Sequence, residues 1–288
     1  MNSISHILVP VDFSEGCLGM LHYAKEIAEH YGAEITLLHV VDTVNAGPML
    51  DMAELEAACR LALDTASARL AAFGEGELRG VAVRRLAQEG DPAKKIAAFV
   101  QGERVSLVVM PTRGLGPLRR FLVGSVTAKA LHDVPCPVLT GVHMERFPRH
   151  FPAVFSNVAC AVGLDGHSQE TLKWAARLAS GFRAQLNLVH AIPTLEPGFE
   201  IPFDGNWKSD VANLAREDLG KLVTACGADV TGIHVLEGEP KKTVCAFAEL
   251  SGADLLVMGR GARGSSAGNL PTNTYAMIRE SPCPVMSI

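Results

Sequence analysis

The sequence predicts an α/β chain of two tandem, doubly wound domains, each built on a mainly parallel five-stranded sheet. Three observations predict it. The first is an internal repeat: HILVPVD (6–12) is matched by VACAVGLD (158–165), ITLLHVVD (35–42) by LNLVHAI (186–192), EGDPAKKIAAF (89–99) by EGEPKKTVCAF (237–247), SLVVM (106–110) by DLLVM (254–258), and PCPVL (135–139) by PCPVM (282–286). The spacings are nearly constant: 153 residues from Asp12 to Asp165, 151 from His39 to His190, 148 from Gly90 to Gly238 and from Met110 to Met258, and 147 from Cys136 to Cys283. Ordered matches at one spacing mark a tandem duplication. The second observation is that short, continuous apolar runs alternate with stretches of helical period, the pattern of parallel strands covered on both faces. The third is size: 288 residues, 48% of them hydrophobic, give room for two domains with real cores.

The elements of the first half follow in order. ILVPV (7–11) is a strand. Leu18, Leu21, Ala24, Ile27, Ala28 and Tyr31 then recur at helical spacing across 15–31. ITLLHVV (35–41) is the second strand, and Leu55, Cys59, Ala62, Ala66 and Leu70 mark a helix within 51–73. VAVRRLA (81–87) is the third strand. Pro92 after Asp91 reads as a helix start, with Asp91 as N-cap. LVVM (107–110), a helix over 126–132 and PVLT (137–140) complete the unit, and the second half repeats the order. The stretch 141–153 has no repeat partner, so domains are expected at 1–142 and 154–288 with a linker at 143–153. The short final strands, PVLT and PVMSI, are candidate edges.

Composition excludes several classes. Lys+Arg 26 against Asp+Glu 31 leaves −5, with no basic excess to invite nucleic acid. No apolar run approaches the roughly 20 residues that span a bilayer, and no secretory leader is visible in Met1–His6, so a cytoplasmic address is expected. The seven cysteines are scattered without a Cys-x-x-Cys pair, which fits reduced, buried thiols better than disulfides or zinc. Ten histidines without an HxH or HxxxH pair give no metal spacing.

In an open parallel sheet, ligands sit at the carboxyl ends of the strands where strand order reverses. Three segments of the first half should meet there: Pro10-Val11-Asp12, His39-Val40-Val41, and the loop PTRGLGPLRRFLVGS (111–125), which follows Met110 and leads into a helix at Val126. Gly114, Gly116 and Gly124 permit close backbone approach, and a helix N-terminus offers free N–H groups and a favourable dipole to a phosphate. Arg113, Arg119 and Arg120 add positive charge, the latter two more simply read as a solvated loop face. The Ser125 hydroxyl is placed both to cap the helix and to reach a phosphate. Each feature has a plainer reading. Asp12 and Asp165 could be helix caps, the glycines could serve the loop alone, His39 and His190 could be satisfied strand-end residues, and Cys136 and Cys283 small packing residues.

The combination LVPVDFSE, LLHVVD and VM-x-x-x-G-x9-G-S ahead of PCPVL resembles the universal stress protein family, twice over nearly the whole chain. The resemblance implies a Rossmann-like, adenine nucleotide alpha hydrolase-like fold and an ATP site, with or without Mg²⁺. It assigns Asp12 to the adenosine, backbone at Val40 to the adenine, and the glycine loop to the phosphates. Of the family pattern G-x2-G-x9-G-[ST], this chain keeps Gly114, Gly124 and Ser125, and Pro111 stands at the first glycine. Pro111 withholds one N–H. The second half has Asp165, Met258 and then Gly259 or Gly261, but Thr272-Asn273 or Pro271-Thr272 where the last glycine belongs, so a degenerate site is expected there. The resemblance also implies pairing of the two halves through their last strands, with a homodimer as a further step. Neither G-x4-G-K-[ST] nor a pyrophosphate loop occurs. The expected function is therefore nucleotide-dependent regulation in a stress response, through the first half. The alternatives are an interaction module without nucleotide and a slow ATP hydrolase.

Overall fold

The computed structural model describes residues 4–42, 52–112, 123–141, 155–192, 207–261 and 272–288. The chain forms two compact units, Met1–Ala153 and Val154–Ile288. Unit 1 runs β1 (His6–Pro10), α1 (Glu15–Tyr31), β2 (Glu34–Val41), α2 (Met52–Ala72), β3 (Val83–Glu89), α3 (Pro92–Gly102), β4 (Leu107–Pro111), α4 (Ser125–Asp133), β5 (Val138–Gly141). Unit 2 runs β6 (Asn157–Ala161), α5 (Ser168–Phe182), β7 (Gln185–Ile192), α6 (Trp207–Cys226), β8 (Gly232–Glu237), α7 (Pro240–Leu250), β9 (Leu255–Met258), α8 (Thr272–Glu280), β10 (Val285–Ser287). The alternation predicted from the repeat is present in both.

Within unit 1 the strand order is β3-β2-β1-β4-β5, and within unit 2 it is β8-β7-β6-β9-β10; the pairings are parallel. Order reverses once in each sheet, between β1 and β4 and between β6 and β9. Right-handed crossovers then put the first two helices of each unit on one face and the last two on the other. In keeping with this, α3 packs on α4, α5 on α6 and α7 on α8. The central strands are buried on both sides: Ile7, Leu8, Val9, Leu107, Val108 and Val109 are fully buried, as are Val158, Leu255, Leu256 and Val257.

Local chemistry sets the element ends. In α1, Cys17, Met20, Leu21, Ala24, Ile27 and Ala28 form the buried stripe, and Gly32, at φ 65°, ends the helix in the left-handed conformation that glycine tolerates. Asp91 caps α3 by accepting from Lys94 N, and Pro92 takes the first helical position. The Lys94 N–H holds the Asp91 carboxyl below the usual carboxylate range. Boundaries shift by one or two residues: β1 runs 6–10 rather than 7–11, β5 138–141 rather than 137–140, and β3 83–89 rather than 81–87, where Val81 N closes a turn onto Leu78 O.

All seven cysteines are free thiols. Burial pushes the Cys17 and Cys283 thiols up to about 12 and raises Cys160 as well. A thiolate is the reacting form. Brief iodoacetamide treatment of the native chain at pH 8 should therefore modify half-buried Cys59 and leave Cys17, Cys160 and Cys283 intact until denaturant is added. Peptide mass spectrometry reads this out, and native labelling of Cys17 would contradict the burial described.

Candidate functional site

The site of unit 1 begins where the ladder between β1 and β4 stops. These strands share two rungs among the described residues, Ile7↔Leu107 and Leu8↔Val108. Their counterparts in unit 2, β6 and β9, share four, from Val158↔Leu255 to Ala161↔Met258. The difference has a covalent cause. Backbone N–H groups alternate in direction along a strand. Val11 N donates to Leu38 O of β2, so the even residues of β1, Pro10 included, face β4. Val108 N donates to Pro137 O and Thr112 N to Gly141 O, so Pro111 faces β1. Proline carries no N–H. Both donors that would continue the ladder are missing, whereas the matching residues of unit 2 are Ala161 and Gly259.

Beyond Pro10 the chain makes a tight turn that presents Asp12. Phe13 sits at φ 61°, a left-handed conformation costing a non-glycine residue on the order of 1 kcal/mol. Its ring is held on three sides. His39 lies at 4.5 Å between centroids, Phe73 meets it edge-on at 5.4 Å, and the Arg69 guanidinium carbon lies 4.1 Å from its centre. The cap of α1 is Ser14, not Asp12. Ser14 Oγ accepts from Cys17 N at 3.2 Å and donates to Asp12 Oδ1 at 2.6 Å, while Ser14 N also donates to that oxygen at 3.0 Å. Asp12 thus holds the capping serine with one oxygen, and Oδ2 has no partner among the described residues. His39 Nδ1 lies 2.6 Å from Val11 O. A carbonyl only accepts, so Nδ1 carries the proton and ties β2 to the same turn. The reading of His39 as a satisfied strand-end residue holds, and the ring also lines the cavity.

The opposite wall comes from β4 and α4. Gly124, not Ser125, is the N-cap residue: it has extended backbone (φ −59°, ψ 145°) and no capping side chain, and Ser125 is the first helical residue. With no side chain at the cap, the first N–H groups of α4 take no acceptor from a capping side chain. Thr127 Oγ1 donates to Pro111 O at 3.1 Å and pins the helix start to the end of β4. Sequence reasoning missed Thr127. Its signal was a hydroxyl repeated in the second half, since Thr127 and Thr274 are buried at the third position of α4 and α8.

These pieces enclose a cavity of about 220 Å³. Of the residues expected at the site, Pro10, Val11, Asp12, Val40, Met110, Gly124, Ser125 and Val126 all line it. Arg113 and Gly114 lie outside the described residues, as do Gly116, Arg119 and Arg120. His39, Pro111 and Thr127 join the lining, with Pro92 and Ile96 of α3 beneath.

Unit 2 has its own cavity, about 460 Å³, at the same place in its sheet. Asp165, Met258, Gly259 and Gly261 line it; the Asn273 side chain lies outside the described residues. The match of Asp165 to Asp12 is overturned. Val162 N donates to Val189 O, and His190 Nδ1 meets Val162 O at 2.8 Å, so Val162 corresponds to Val11. Leu164, at φ 56°, then corresponds to Phe13, and Gly163 to Asp12. Asp165 falls at the position of Ser14, is exposed, and spends Oδ1 on His167 N and Ser168 Oγ, both at 3.0 Å. A Cβ on Gly163 would meet Asp165 Oδ2 at 3.3 Å, so the carboxylate covers the place where a side chain would start. The helix start also chooses between the two alignments. Counting from Thr127 and Thr274, Gly124 pairs with Pro271, and the last glycine is replaced by proline.

The universal stress protein family model matches residues 3–140 and 155–288, one copy per unit. A universal stress protein of Mycolicibacterium smegmatis is 26% identical over 297 residues, covering 98% of this chain and 96% of that one. One from Methanocaldococcus jannaschii is 30% identical over 139 residues, 48% of this chain and 82% of that one. The crystal structure of a universal stress protein from Archaeoglobus fulgidus superposes with TM-score 0.68 at 22% identity, covering 100% of this chain and 98% of that one.

The turn geometry makes Ser14 a double anchor, for α1 and for Asp12. Ser14→Ala should destabilise the chain by about 1 kcal/mol, the usual worth of a capping hydroxyl. Urea unfolding measures it, and an unchanged midpoint would show that the cap carries no stability.

Proposed function

The chain belongs to the universal stress protein family, and from that premise we propose that unit 1 binds one adenine nucleotide, ATP, as the signal of a regulatory stress-response protein. The observation that carries the reading is the cavity at the β1/β4 switch point. It brings a carboxylate with one uncommitted oxygen, Asp12, opposite the uncapped start of α4 at Gly124–Val126. The first can take ribose hydroxyls; the second can take phosphate, through orphan N–H groups and the helix dipole. Val40 at the end of β2 offers backbone to the adenine. Arg113 and Gly114, next in the chain after Thr112, are assigned to the phosphates. Mg²⁺ is assigned to the nucleotide phosphates, its usual partners.

Unit 2 has more room but the wrong chemistry. Its carboxylate sits two residues further on and is exposed, and proline replaces the cap glycine. Losing one charge-assisted hydrogen bond of about 1.5–3 kcal/mol weakens binding by roughly one to two decades. Calorimetric titration of the full chain should give about one ATP per chain at concentrations that fill unit 1. Two equivalent sites would contradict the assignment.

Gly124→Asp tests the site itself. The backbone at Gly124 suits any residue, and Asp is a good N-cap, so the variant should fold at least as well as the original. Its carboxylate would take the α4 amides and bring like charge against the phosphates, weakening ATP binding at least tenfold. Unchanged affinity in the folded variant removes the proposed phosphate position.

A further inference from the structure

We propose that the cavity of unit 2 is a second ligand site, built for an uncharged, mainly apolar small molecule that carries an N–H or O–H donor. The proposal goes beyond the nucleotide reading of unit 1 and does not depend on it. The two units supply the comparison. The cavity of unit 1 is lined from the strand ends and from α3 and α4, with no residue of α1 or α2 among the described residues. That of unit 2 is lined in addition by Ser168 and Thr171 of α5 and by Val211 and Ala215 of α6, and it holds about 460 Å³ against about 220 Å³. Small-molecule sites run from roughly 300 to 1,000 Å³. Side chains account for the difference. With Val162 matched to Val11, Thr171 takes the place of Met20, and both are buried. Leu164 stands where unit 1 has Phe13. Ala66 and Leu70 of α2 match Ala215 and Leu219 of α6 as buried pairs, which sets Leu222 where unit 1 has Phe73. Unit 1 thus has a methionine and two phenylalanines, their rings 5.4 Å apart, on its α1–α2 side. Unit 2 has a threonine and two leucines, and its cavity extends over the space they leave.

The wall selects the ligand. Val162, Ile192, Val244, Met258 and Met277 make it mainly apolar. Among the described residues no lysine or arginine lines it, and its titratable groups are Asp165, His167 and His190. An anion would meet a carboxylate there and no fixed cation. His190 supplies the placed polar contact. Its Nδ1 gives its proton to Val162 O at 2.8 Å, so Nε2 of the neutral ring is an acceptor, without a partner among the described residues. A ligand donor suits it. The α6 rim is apolar as well: Val211 is 39% exposed, and Leu214, one turn on, is 59% exposed. Exposed apolar side chains beside an apolar cavity mark a surface that an apolar ligand covers on entry.

The test uses N-phenyl-1-naphthylamine, an uncharged, mainly apolar probe with one N–H, whose fluorescence rises in an apolar site. It is titrated into the full chain at pH 8, first without nucleotide and then with excess ATP. The proposal expects saturable binding of one probe per chain, undiminished by ATP. The N-methylated analogue, which has no N–H, should bind about three- to tenfold more weakly. Thr171→Met gives unit 2 the side chain that unit 1 buries at the matching position, and should weaken probe binding roughly tenfold or more. Should that variant fail to fold, Val211→Asp, at a part-exposed helix position, sets a carboxylate in the apolar wall and should have the same effect. Absence of saturable binding, displacement of the probe by ATP, equal binding of the methylated analogue, or unchanged affinity in the folded variant would each overturn the proposal.

Discussion

A parallel ladder needs a backbone N–H at every second residue, and the site of unit 1 lies where that supply stops. Up to Leu8 and Val108 the two central strands are locked together and fully buried. One residue pair later proline, which carries no N–H, ends the hydrogen-bonded pairing. Other features of the site are built around this point. The turn after β1 closes through Phe13 in a left-handed conformation. Helix α4 is pinned at its first turn to Pro111 O by Thr127. The Arg69–Phe13–His39 stack and the His39 bond to Val11 O then hold the β1 lip to β2 and α2.

The two units show what a duplication keeps and what it releases. The packing elements are kept: strand order, the His-to-carbonyl bond, the left-handed residue and the buried threonine. The groups that would meet a ligand have moved. The carboxylate of unit 2 sits two positions on and is exposed, and the glycine ahead of the last helix has become Pro271. A larger cavity does not compensate, because affinity for a phosphate depends on placed donors more than on volume.

Most of the fold was legible because hydrophobic period and proline or glycine punctuation are local signals. Helix 15–31 and the Asp91-Pro92 start appear where the residues place them. So was the membership of the unit 1 cavity, since strand ends at a switch point must converge. What was not legible was register within turns. Asp12 and Asp165 look alike in a string, but ladder bonds at Val11 and Val162 and the left-handed Phe13 and Leu164 put them two positions apart. Capping failed for a similar reason. Asp12 and Ser125 both have capping chemistry, yet the neighbours Ser14 and Gly124 hold the cap positions, and one residue decides which side chain reaches the amides. Pro111 read as a defect in a glycine pattern; beside Pro10, across the sheet, it is half of a matched pair. That pairing is long-range and no linear motif carries it.

The central claim is that nucleotide sits in unit 1, with its base at the end of β2 and its phosphates at the start of α4. Photolabelling with 8-azidoadenosine triphosphate, followed by peptide mass spectrometry, tests this most directly, because the reactive group sits on the base. The account predicts a label in unit 1 on the segment around Val40, competed away by ATP. A competed label confined to unit 2, around His190–Ile192, would contradict it.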